Sequence, residues 1–146
     1  MPQTIKSLSL PEADIVIAAA IAAAEATPVK STIVVLDAGG EIIVATRMDG
    51  AWAGAFDLAL AKARTSRAFG APSGYFTALV QPGAPLFGVG SAEGGKYLTL
   101  PGGVPVILGG AVIGAIGVSG GTPDQDEAVA QAALRRLHLP DATVAA

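Results

Sequence analysis

Glu93 and Lys96 are the only charged residues between Arg67 and Asp124, and they sit among glycines and prolines. Such an isolated pair has two readings. Glu93 can serve as a general base if partial burial lifts its pKa, with Lys96 stabilising a developing oxyanion. Otherwise the two are a loop-surface pair contributing nothing measurable. Tyr97 follows directly and can donate a hydrogen bond. Arg47 and Asp49 alternate about Met48 at the end of an apolar run, so in a strand they share a face. Arg47 suits bidentate carboxylate recognition, and Asp49 is a second candidate for moving a proton. An exposed ion pair is the plainer alternative.

Lys62 and Arg64 lie in a helical stretch with Arg67. Lys62 and Arg64 are two residues apart and do not share a face well; one of the three, Lys62 first, would reach a bound anion. A solvated basic face is the alternative. Gly102 with Gly103, and Gly120 with Gly121, offer backbone N–H groups. The second pair precedes a helix start, where anions are attracted, although simple capping by Thr122 accounts for it as well.

Other chemistries are excluded by composition. There is no cysteine and one histidine, His138, so one chain offers neither a thiolate nor a multi-histidine metal site. His138 stands near the end of a helix, where its charge is favoured. Ser31, Ser73, Ser91 and Ser119 have no histidine nearby in sequence to act as base. No lysine follows the glycine pairs as in a phosphate loop. Nine basic residues and a net charge of -3 give no nucleic-acid stripe. The apolar run from Ile15 to Ala24 is too short to span a bilayer, and no leader pattern precedes it, so a cytoplasmic protein is expected. Charged residues make up only 14% of the chain, too few to cover a monomer's surface, which points to a homo-oligomer.

These residues need positioning by a single domain spanning residues 1–146. Ser9, Pro11 and Glu12 mark a helix start, and Pro28 ends the helix after about Ala26. Thr32–Leu36 and Glu41–Ala45 read as strands joined by the turn Asp37–Gly40. A second helix runs from about Ala53 to Ala68 and stops at Gly70. Tyr75–Val80 can form a short helix within a long Gly/Pro-rich segment. Tyr97–Leu100, Val104–Leu108 and Ala111–Val118 read as three more strands, the last two joined at Gly109–Gly110. Thr122, Pro123 and Gln125 open a last helix ending near Leu139, and the tail from Asp141 is expected to be loose. Strands joined by tight turns make an antiparallel sheet, covered by helices: an α+β domain.

Five pieces taken together carry a family resemblance: Val35–Gly40, Arg47–Ala51, Ala61–Ala63, Gly102–Pro105 and Ile113–Gly120. The chain resembles the GlcG/HbpS family, which takes in the PduO C-terminal domain, from about Leu8 to Leu137. The resemblance implies a profilin-like, five-stranded antiparallel sheet flanked by helices, a homo-oligomer and, in some members, binding of haem or another tetrapyrrole. Where members often carry Lys-Ala-Tyr-Thr, this chain has Lys62-Ala63-Arg64-Thr65, and it has no histidine before His138.

The leading expectation is therefore a domain that binds a small organic anion or haem, with no cofactor required. The alternative is an isomerase or lyase moving a proton on a small hydroxy- or oxo-acid: Arg47 would hold the carboxylate, Glu93 or Asp49 would move the proton, and Lys96 would stabilise the oxyanion. A third reading is a structural partner protein in a metabolic operon.

Overall fold

In the computed structural model, residues 1–139 are described in full and 142–144 by their backbone. Helix α1 spans Leu10–Ala26. The Ser9 N–H donates to Glu12 Oε2 at 2.7 Å, the closure the capping box anticipates. Strands β1 (Thr32–Asp37) and β2 (Ile42–Arg47) form an antiparallel hairpin. Helix α2 (Ala55–Phe69) ends at Gly70 in the left-handed conformation. A long connection with short 3₁₀ turns at Ser73–Phe76 and within Phe87–Gly95 leads to β3 (Gly103–Leu108) and β4 (Ala111–Ser119). Helix α3 (Pro123–Leu134) follows, with Thr122 Oγ1 accepting from the Gln125 N–H and Gln125 Oε1 accepting from the Thr122 N–H.

The fold is α+β. Strands run antiparallel in the order β2-β1-β4-β3, and the segment Ala142–Val144 (β5) pairs with the outer side of β3. The tail expected to be loose is thus paired over these three residues; 140–141 and 145–146 lie outside the described residues.

Alternation along the strands sorts the core into two layers. Ile33 and Val35 of β1, Val104 and Val106 of β3, and Ile116 and Val118 of β4 pack against α1 and α3. Val34 and Leu36 face the other way, against Ala59, Leu60 and Ala63 of α2. Two glycines, Gly103 and Gly117, are cross-strand partners on the α2 side. A Cβ on Gly117 would lie 1.9 Å from the Ala59 carbonyl oxygen, and one on Gly103 would lie 2.2 Å from that of Lys62. Helix α2 rests directly on sheet backbone, which only glycine permits.

Two expectations are corrected. Tyr97–Leu100 is not a strand. Its polar backbone groups are taken by hydroxyls: the Leu98 N–H donates to Thr65 Oγ1, Ser73 Oγ donates to the Leu100 carbonyl, and Thr77 Oγ1 donates to that of Thr99. Helix α3 stops at Leu134 rather than near Leu139. There the bonding tightens to the i→i−3 pattern, with Arg136 N–H on Ala133 and Leu137 N–H on Leu134.

Candidate functional site

Helix α2 presents different residues to the sheet and to solvent. Lys62 falls on the buried stripe with Ala55, Ala59, Ala63 and Ser66. Its side chain is 2% exposed, and Nζ donates to Asp126 Oδ2 at 2.9 Å and to the Val118 carbonyl at 3.1 Å. Asp126 Oδ1 accepts from the Gly121 N–H at 2.9 Å. Lys62 therefore ties α2 to the start of α3 and does not reach a ligand from an open face.

The four glycines expected to bind a ligand surround this pair. A Cβ on Gly102 would lie 2.9 Å from Lys62 Nζ, Gly103 lies under the helix backbone, and Gly120 backs onto the Lys30 carbonyl. The Gly121 N–H and the N-terminal end of α3 are served by Asp126, the chain's own anion. These glycines make room for packing.

Arg64 and Arg67, two and five residues beyond Lys62, are three residues apart and half-buried. They line a cleft of about 230 Å³ with Gly40, Glu41, Glu93, Lys96 and Tyr97. Glu93, Lys96, Tyr97, Arg64 and Arg67 are thus brought together, joined by Glu41, which no sequence pattern singles out. The spacing of Arg64 and Arg67 was the available signal; the β1–β2 turn opposite them was not a sequence neighbour. Arg67 packs against that turn: a Cβ on Gly40 would lie 3.1 Å from Arg67 Nε. That Nε is buried without a hydrogen-bond partner. Among the described residues, Lys62–Asp126 is the one ion pair within 4.0 Å, so Arg64, Arg67 and Lys96 are not neutralised by a contacting carboxylate. Three cations against two carboxylates leave the cleft net positive.

Glu93 is held in the left-handed region (φ 51°), where a non-glycine residue is uncommon, with Gly94 and Gly95 also at positive φ. The hydroxyls of Thr65, Ser73 and Thr77 fix the segment that carries Tyr97. Tyr97 stacks edge-on against Phe69 with centroids 5.0 Å apart, and Phe69 continues to Phe76 at 5.3 Å. An aromatic run therefore leads away from the cationic cleft.

Arg47 and Asp49 lie elsewhere. They line a separate cleft of about 350 Å³ with Ile21, Glu25, Lys30 and Thr46. Glu41 and Arg47 stand at opposite ends of β2, roughly 20 Å apart at strand rise, and the Arg47 cleft is on the α1 side of the sheet. Arg47 cannot hold a substrate for Glu93 and Lys96 within one chain. His138 is exposed beyond α3, away from both clefts. Among the described residues no group of three His, Asp or Glu could hold a metal ion, and no helix is long and apolar enough to cross a membrane.

A helix-covered antiparallel sheet with α2 seated on paired glycines defines an α+β domain shared with known proteins. Residues 8–135 match the family described as "Haem degrading protein HbpS-like", and the chain belongs to that family. It is 43% identical over 100 residues to an uncharacterised 15.0 kDa protein of the dhaT–dhaS intergenic region of Citrobacter freundii, covering 68% of this chain and 70% of that protein. It is 35% identical to the corrinoid adenosyltransferase PduO of the same organism over 91% of this chain but only 40% of PduO. Among solved structures, Klebsiella pneumoniae ORFY superposes with a TM-score of 0.91 at 34% identity, covering 93% of this chain and 94% of that one. A PduOC:haem complex gives 0.87 at 32%, covering 92% and 98%. A double mutant of Streptomyces reticuli HbpS gives 0.86 at 30%, covering 95% and 92%.

Proposed function

We propose that this protein is a ligand-binding domain that takes a carboxylate-bearing small molecule at the Arg64–Arg67–Lys96 cleft, with haem the candidate its relatives favour. The observation that carries this reading is the gathering of three cations, none paired to a carboxylate, around one cleft beside Tyr97. Guanidinium groups match carboxylates in bidentate geometry. The aromatic run Tyr97–Phe69–Phe76 adds a surface for an apolar body, so the cleft suits an amphipathic anion.

Haem meets these requirements in part. Arg64, Arg67 and Lys96 would hold its propionates, and Tyr97 would offer a phenolate oxygen to the iron. Bound there, haem would supply redox or O₂ chemistry. The macrocycle would extend over the aromatic run, because a cleft of about 230 Å³ is smaller than those that enclose drug-sized molecules. Titration with haemin, followed by the Soret band and repeated with small hydroxy- and dicarboxylates as competitors, tests this reading. Saturation near one haemin per chain, or saturable binding of a small acid, supports it; flat titrations with both refute it.

A second reading rests on Glu93 sharing the cleft with those cations. Arg64 or Arg67 would hold the carboxylate of a small acid, Glu93 would take a proton from the carbon next to it, and Lys96 would stabilise the enolate oxygen. Loss of turnover in Glu93→Gln, with acid binding retained, is its signature.

A further inference from the structure

We propose that the Arg47 cleft is a second ligand site and that it takes an α-amino acid with an apolar side chain. Four charged residues border it. Glu25 comes from the last turn of α1, Lys30 from the connection to β1, Arg47 from the end of β2 and Asp49 from the turn that follows. Among the described residues, none of these four side chains makes a hydrogen bond or an ion pair. Arg47 and Asp49 are therefore not the ion pair that their alternation allows. Two cations and two carboxylates stand around one cavity of about 350 Å³ with no partner in the chain.

The balance of charge sets the class of ligand. A simple anion drawn to Arg47 and Lys30 meets Glu25 and Asp49, and a simple cation drawn to the carboxylates meets Arg47 and Lys30. A molecule with one charge of each sign avoids both conflicts. Glu25 lies at the carbonyl end of α1, where the helix adds negative potential, so the ammonium group belongs there. The Arg47 guanidinium suits the carboxylate. Ile21 and Met48, partly buried and packed on the core, give the cleft an apolar floor for the side chain. The frame is fixed by backbone bonds: the Met48 N–H donates to the Ser31 carbonyl at 2.9 Å, and the Ala51 N–H to that of Met48 at 3.1 Å. The Lys30 stem lies along the same turn, its Cγ 3.5 Å from where a Cβ on Gly50 would stand. The cavity has the size of a small-molecule site. Its ligand is independent of what the Arg64–Arg67 cleft holds.

Calorimetric titration of the full-length protein with L-leucine, 4-methylpentanoate and 3-methylbutylamine tests the site, since the last two each lack one of the two charges. L-leucine is expected to saturate near one molecule per chain, and the other two to bind about tenfold more weakly or less. Arg47→Ala should weaken L-leucine by about tenfold or more, and Glu25→Gln should narrow its advantage over 4-methylpentanoate. Both side chains are exposed, so the fold does not need them. Arg64→Ala/Arg67→Ala should bind L-leucine within about twofold of wild type. Absence of saturable L-leucine binding overturns the proposal, as does equal affinity for 4-methylpentanoate or 3-methylbutylamine. Unchanged L-leucine affinity in Arg47→Ala, or its loss in Arg64→Ala/Arg67→Ala, overturns the placement in this cleft. A flat haemin titration alongside saturable L-leucine binding refutes the haem reading of the other cleft and leaves this site standing.

Discussion

Lys62 and Asp126, 64 residues apart in sequence, meet at 2.9 Å with each side chain 2% exposed. The pair joins the middle of α2 to the first turn of α3 and is completed by the Val118 carbonyl and the Gly121 N–H. Every polar partner it needs is built into the surrounding backbone. Removing one member leaves an uncompensated charge in the core, which costs about 3–5 kcal/mol. Lys62→Met and Asp126→Leu should each lower the urea midpoint by that equivalent. The double variant should recover a large part of the loss, because two apolar side chains leave no buried charge. Equal losses in single and double variants would contradict this account.

The seating of α2 on the sheet gives a steric prediction. Gly117→Ala drives a Cβ into the Ala59 carbonyl, and backbone cannot yield as a flexible side chain can. The variant should lose about 3 kcal/mol or more, or fail to fold. Gly88→Ala meets nothing within 4 Å and should stay within about 0.5 kcal/mol of wild type. Thermal melts of the two variants give the comparison.

Partial burial, with Asp124 nearby, raises the pKa of Glu127 above its ordinary 4.5. A raised carboxyl pKa means that the folded state holds the proton more tightly than the unfolded chain. The stabilising contribution is full below the unfolded value and is lost as pH rises through the folded one. Glu127→Gln should therefore raise the melting temperature at neutral pH and leave it unchanged well below pH 4.5. A gain that persists in acid would count against this origin.

The separation of the two clefts yields a negative control. Arg47 lies at the far end of β2 from Glu41, so Arg47→Ala should bind haemin or a small acid as the wild type does, within about twofold. A loss of tenfold or more would place Arg47 in the site and contradict the assignment of the Arg64–Arg67 cleft.

Local features were readable and long-range ones were not. Ser9 with Glu12, and Thr122 with Gln125, announced the starts of α1 and α3 because capping is settled within four residues. The glycine runs at 102–103 and 114–121 signalled close approach. Whether a ligand or a helix approached was a tertiary matter, and helix α2 is what arrives. The buried position of Lys62 was written in its spacing from Ala55, Ala59 and Ser66, yet its chemistry suggested a ligand because Asp126 was invisible as its partner. Tyr97–Leu100 has strand-like residues but finds its hydrogen bonds on Thr65, Ser73 and Thr77, so side chains displaced the expected ladder. Arg67 entered the cleft through the β1–β2 turn, a contact that no local pattern encodes.

The most direct test of the central claim is the haemin affinity of the Arg64→Ala/Arg67→Ala double variant against wild type. Two charge-assisted contacts, discounted for partial exposure, make a loss of at least about tenfold the predicted result. The far-ultraviolet circular dichroism should stay unchanged, since both side chains are only half-buried. Wild-type haemin affinity in a folded double variant would show that the cleft does not hold the ligand.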